Sequence, residues 1–199
     1  MDPLLDRKPL PLLKGHGRVG RDLMDVATHV TIGAFAGIGF GKGKRGSAAI
    51  WVAVFLGSMA PDIDALLHLI NPDLYSASHR MYTHTLLGVA ILSAVTAGLI
   101  TFLSRQPGFF RLYFYVVLGG LIHLGLDALT NYPLYPLVPF SAENYALGLV
   151  GRHDPFFKAV ALIGGGLILI LPRLFARPLL LLGLVVMVGR AAVAFFFHR

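Results

Sequence analysis

The chain has 199 residues, 56% of them hydrophobic and only 14% charged, with a mean hydropathy of +0.72. A soluble domain carries about 25% charged residues, so this composition excludes an ordinary soluble globule and indicates a membrane protein. The net charge of +7 is scattered between apolar runs and forms no single stripe, which argues against nucleic acid as a partner, and the absence of cysteine excludes disulfides and thiolate metal sites.

Residues 1–26 mix Arg7, Lys8, Lys14, Arg18 and Arg21 with Asp2, Asp6, Asp22 and Asp25. They read as an interfacial or flexible arm, with no apolar run that would make a cleavable signal peptide. Residues 27–199 read as one membrane-embedded helical domain. His29 to Phe40 is a short apolar helix in which Gly33 and Gly37 form a GxxxG pair, a pattern that lets another helix approach closely. A basic turn at 41–46 leads into a second short helix from Ser47 to Met59, which Pro61 ends. Residues 61–83 read as a polar loop. His84 to Leu103 and Leu112 to about Thr130 are long enough to span a bilayer. Residues 131–155 form a Pro- and Tyr-rich loop whose Tyr132, Tyr135 and Phe140 suit an interfacial aromatic belt. Phe156 to Leu171 and Leu179 to Phe197 complete the chain. The expected fold is all-α: a polytopic membrane bundle of about six helices, two of them short.

Alternation of these segments puts three turns on one side, carrying Lys42, Lys44, Arg45, Arg105, Arg111, Arg173 and Arg177 and no acid. The positive-inside rule places that side in the cytoplasm and the opposite face outside an inner membrane. Arg190, inside the last helix, has no assigned role. On the outer face the same alternation gathers His29, Asp62, Asp64, His79, His84, His123, Asp127 and Asp154. Each has a rationale. His123 and Asp127 are four apart, so they lie on one helical face and can serve one metal. Asp62 and Asp64, two apart in an extended loop, would point opposite ways, one to a metal and one to a neighbour. His79 and His84 straddle a helix start. Arg80 is placed to neutralise a phosphoryl group or a developing anion, and Thr83, Thr85 and Thr130 to orient carboxylates. A lone histidine is more often structural, and His16, His68, His153 and His198 are read so; Asp73 is read as a turn residue. The set is different, because each ionisable group near lipid costs about 2.5–3.5 kcal/mol.

His29, Pro61-Asp62-Ile63-Asp64, His79-Arg80-Met81-Tyr82-Thr83-His84-Thr85, His123-Leu124-Gly125-Leu126-Asp127-Ala128-Leu129-Thr130 and Pro139-Phe140 resemble the YdjM-like family of inner-membrane proteins described as metal-dependent hydrolases. The resemblance covers roughly residues 27–155. The His-x-x-x-Asp helix with upstream Asp and His is also distantly similar to zinc-dependent phospholipase C. This resemblance implies a metal-activated water and a phosphoester or lipid-like substrate.

Sequence reading therefore expects a membrane hydrolase. One or two divalent ions, zinc first and manganese or iron next, are held by His29, Asp62, His79, His84, His123 and Asp127. Asp64 is the candidate general base or acceptor for a ligand, and Arg80 the anion stabiliser. The partners expected are membrane lipid and an amphiphilic phosphoester such as a phospholipid or polyprenyl phosphate. Two rivals stand beside it: a transporter of metal ions or protons, whose site would lie at the bilayer midplane, and a scaffold in which metal serves stability alone.

Overall fold

The computed structural model describes residues 19–41, 47–105 and 108–150, with the single positions 159 and 163. The helices expected at 156–171 and 179–197, the basic turns at 42–46 and 172–178, the arm before residue 19, Asp154, Arg190, His16, His153 and His198 lie outside the described residues. What is described is helical, and its only strand-like pairing is a single parallel bridge between Thr130 and Val150.

Six α-helices are described: α1 Val19–Gly41, α2 Ser47–Met59, α3 Leu66–Ile70, α4 Pro72–Ser78, α5 Leu86–Ser104 and α6 Phe109–Ala128. A 3-10 turn, Ala60–Ala65, joins α2 to α3. Among the described residues, three stretches are long and apolar enough to cross a membrane: Ala48–Ile70, Leu86–Ser104 and Phe109–Ala128. Their outer surfaces are apolar, as lipid requires; Val95, Leu99, Phe102, Phe110 and Phe114 are all exposed.

Two expectations fail. The first helix is not confined to His29–Phe40. It begins at Val19 and absorbs the last third of the supposed arm, because residues such as Leu23 and Met24 are good helix formers and polarity alone does not stop a helix. His29 is therefore well inside α1 and not at its start. The stretch 61–83 is not an extended loop either. Pro61 sits in the first turn of the 3-10 segment, where its missing N–H costs nothing. Asn71 then breaks the run with extended backbone, and its side chain accepts the Leu74 amide at 3.0 Å, capping α4 with Pro72 in the first turn. At α5, Thr85 plays the same part, accepting the Gly88 amide at 2.8 Å.

The helices of the centre meet through small residues. α2 packs on α1 and α6, and α5 on α6. A Cβ added at Gly57 would lie 2.1 Å from the Val116 carbonyl, and one at Gly119 would lie 2.2 Å from the Val54 carbonyl, so α2 and α6 touch backbone to backbone. The Gly33–Gly37 pair does face another helix: a Cβ at Gly33 would overlap Ser58, and one at Gly37 would meet Trp51. Ile50, Ala53, Val54, Ala97, Ile100, Leu112, Tyr115 and Val116 fill the core. The segment after α6 folds back over the bundle end, where the Leu86 amide donates to the Pro136 carbonyl at 2.8 Å and the Leu147 amide to that of Ala128 at 2.8 Å.

Candidate metal centre

Four pieces of chain meet at one end of this bundle. α1 brings His29. The 3-10 turn brings Asp62 and Asp64. The connection between α4 and α5 brings His79, Arg80, Thr83 and His84, and the last two turns of α6 bring His123 and Asp127. All eight residues named from the sequence as metal ligands or catalytic groups come together. Three overlapping triads have mutually close ligand atoms, all within 4.8 Å: His29–Asp62–His123, Asp62–His79–His84 and His84–His123–Asp127.

Asp62 and Asp64 do point apart, although for a different reason than the one expected. At three residues per turn, positions two apart in a 3-10 helix diverge by about 240°. Asp62 Oδ1 lies 3.4 Å from His84 Nε2 and 3.7 Å from His123 Nε2. Asp64 faces away from these, with both oxygens 3.1 Å from His79 Nδ1, and it accepts the Thr83 hydroxyl at 2.9 Å. Of the two roles proposed for Asp64, its bonding matches the acceptor. On α6, the four-residue spacing brings His123 Nε2 within 3.4 Å of Asp127 Oδ2.

The hydrogen bonds also fix which imidazole nitrogen is free. His123 Nδ1 lies 2.8 Å from the Ser58 carbonyl, an acceptor, so Nδ1 carries the proton and Nε2 the lone pair. The Thr83 hydroxyl gives its hydrogen to Asp64, which leaves its oxygen to accept from His84 Nδ1 at 3.0 Å. That again leaves Nε2 with the lone pair. His84 Nε2, His123 Nε2 and Asp127 Oδ2 are all buried with no hydrogen-bond partner. They face one another, with His84 Nε2 3.6 Å and His123 Nε2 3.4 Å from Asp127 Oδ2. Three electron-rich atoms buried together repel unless a cation lies among them. Zinc bonds of about 2.0–2.1 Å in a tetrahedral arrangement put neighbouring ligands about 3.3–3.4 Å apart, close to the spacing observed. The donor set fits a divalent ion. Burial pushes the His84 imidazole below its ordinary pKa, against the pull of Asp62, so the ring is neutral and ready to ligate at neutral pH.

Arg80 is not where an incoming anion would find it free. It is 3% exposed, its Nη2 donates to Asp127 Oδ1 at 2.6 Å, and Nη1 reaches the Thr130 hydroxyl at 3.5 Å. The guanidinium also lies 4.8 Å from the centre of the Tyr132 ring, a cation–π contact that gives Tyr132 a second place besides the aromatic belt. The Arg80 backbone is left-handed, φ 68°, which a branched or bulky residue adopts only when its surroundings enforce it. His29 Nε2 lies 3.4 Å from the same Asp127 Oδ1, its ring stacks on His123 at 3.8 Å, and its Nδ1 is buried without a partner.

Of the three threonines, only Thr83 touches a carboxylate. Thr85 caps α5, and Thr130 donates to the Asp127 carbonyl at 2.7 Å. His68, read as structural, packs edge-on against Tyr75 outside the cluster. The Ser58 carbonyl was missed, because a backbone acceptor carries no mark of residue type.

The YdjM inner membrane protein family matches residues 24–198. The chain is 33% identical over 139 residues to a Bacillus subtilis (strain 168) protein described as uncharacterized protein YfhP, a match covering 67% of this chain and 42% of that protein. The chain thus spans less than half the length of this relative. No solved structure matches it. With the family match running over nearly the whole length and three stretches apolar enough to span, the chain belongs to the YdjM inner membrane protein family.

Proposed function

We infer that this protein is a membrane-embedded, metal-dependent hydrolase acting on a phosphoester of a lipid-like substrate. The observation that carries this reading is the set of buried, unpartnered donors, His84 Nε2, His123 Nε2 and Asp127 Oδ2, turned toward one another with their tautomers fixed from behind. His29, Asp62 and His79 extend the set to the six ligands expected, for one or two divalent ions, with zinc the best match to imidazole and carboxylate. A bound ion would supply Lewis-acid activation of water at neutral pH. Around it, Asp64 holds His79 directly and His84 through Thr83, while Arg80 holds Asp127. Access is graded. The His84, His123 and Asp127 side chains are 0–2% exposed, whereas those of Asp62 and His79 are 13% and 10% exposed, which marks the side a substrate would reach. Ile63, next to Asp62 in sequence, and Tyr82, between His79 and His84, are exposed, and apolar side chains there suit an amphiphile. The basic turns on the opposite side, which carry no acid, support an extracytoplasmic site.

The test uses protein purified in detergent. Metal content is measured, and hydrolysis of bis(4-nitrophenyl) phosphate and of phosphatidylcholine in mixed micelles is followed before chelation, after prolonged chelator dialysis and after zinc is restored. Activity should vanish and return. His84→Ala should lower it at least about 100-fold, since loss of an outer partner alone costs 10–100-fold. Protein that holds no metal under any loading condition would end this reading.

Thr83 gives a finer check. Thr83→Val keeps the side-chain shape and removes the hydroxyl that links His84 to Asp64. Zinc affinity, measured by competition with a chromophoric chelator, should fall about 10–100-fold, while Thr83→Ser should retain it. Equal affinities in the two variants would mean that the hydroxyl does not set the His84 tautomer.

A further inference from the structure

The three triads are not independent, and the way they overlap bears on the number of ions. Nδ1 is already committed in His79 to Asp64, in His84 to Thr83 and in His123 to Ser58. Each of these rings therefore has one lone pair and can bind one ion. The triad His84–His123–Asp127 shares a ring with each of the other two, so filling it empties them. The remaining pair, His29–Asp62–His123 and Asp62–His79–His84, has no ring in common. It shares only Asp62, whose carboxylate has two oxygens.

We propose that the centre binds two divalent cations bridged by Asp62, one with His29 and His123, the other with His79 and His84. This rests on the metal-binding reading above and adds the count and the division of ligands. The same Asp62 oxygen, Oδ1, lies 3.4 Å from His84 Nε2 and 3.7 Å from His123 Nε2, one ring from each half of the site, which is the placement a bridging carboxylate needs. Each ion has three protein donors, which leaves an open position of the kind found in catalytic sites. Asp127 Oδ2, beside both His84 and His123, is available to either ion, and its Oδ1 is held by Arg80. Charge favours the same count. Three carboxylates outweigh the single guanidinium, and two dications reverse that balance, which suits an anionic phosphoester. The occupants are metal ions of the imidazole–carboxylate class, zinc above all.

The measurement is metal stoichiometry of the full chain in detergent after zinc loading and removal of excess, with the same loading done in cobalt(II). Wild type should hold about two equivalents of zinc, and its dicobalt form should show the spin coupling expected of ions about 3.5–4 Å apart. His79→Ala and His29→Ala should each fall to about one equivalent and show an uncoupled cobalt signal. His79 is the most exposed of the four histidines, so its truncation is the one of the four that the fold tolerates best. One equivalent in wild type, unchanged in both variants, would overturn the bridged pair and leave a single ion at His84–His123–Asp127, with the hydrolase reading intact. No bound metal would overturn both.

Discussion

Replacing Arg80 by methionine should destabilise the protein by about 3–5 kcal/mol, the cost of breaking a buried ion pair from one side. The pair is Arg80 Nη2 and Asp127 Oδ1 at 2.6 Å, with the two side chains 4% and 2% exposed, so solvent screens little of it. Methionine fills much of the volume but leaves Asp127 facing His29, His84 and His123 with no fixed cation. Zinc should partly compensate, so the loss is largest in chelator and smaller in metal-loaded protein. Arg80→Lys should fall between, because an ammonium is a point charge that cannot meet Asp127, Thr130 and the Tyr132 ring at once. The melting temperature in detergent, with and without zinc, reads all three. An Arg80 that met only substrate would give a different result: Arg80→Met with wild-type stability and metal content, and a reduced turnover alone.

Gly119→Val should be nearly as damaging, at about 3 kcal/mol or more, the upper part of the range for overpacking. A Cβ at Gly119 would lie 2.2 Å from the Val54 carbonyl and 2.8 Å from the Ser58 amide. Both are backbone atoms of α2, so no side chain can rotate away, and the two helices must separate. The same movement would carry off the Ser58 carbonyl that holds His123 Nδ1, so zinc affinity should fall together with stability. Gly125, also on α6, is the control. Nothing lies within 4 Å of a Cβ added there, and Gly125→Ala should be neutral or stabilising by up to about 1 kcal/mol, from helix propensity. Thermal melts and monodispersity of the two variants, run side by side, separate packing from any general intolerance of substitution in α6. Equal behaviour of the two would refute the close α2–α6 contact.

What the sequence revealed and what it hid divide along physical lines. The membrane class followed from the charge deficit alone. His123 and Asp127 could be paired because helical periodicity is local, and four residues apart means one face. The meeting of α1, the 3-10 turn and α6 followed from alternation of spans. The short helices α3 and α4 were hidden because each is five to seven residues long, and their boundaries rest on the Asn71 cap and the Pro72 start, which also read as an ordinary turn. The true start of α1 was hidden by its polar residues. The partner of Arg80 was beyond reach for another reason. Asp127 is 47 residues away, and nothing local distinguishes an arginine that meets substrate from one that braces a ligand.

The depth of the ligands has a kinetic side. α2 has 13 residues, so it is about 20 Å long, shorter than the roughly 30 Å of hydrocarbon, and the chain reaches Asp62 and Asp64 before it has covered that thickness. An ion lodged there, against the 0–2% exposed side chains of His84, His123 and Asp127, would depart chiefly when the bundle end opens. Its residence time would then follow local unfolding of this protein, governed by the same helix contacts that set its stability.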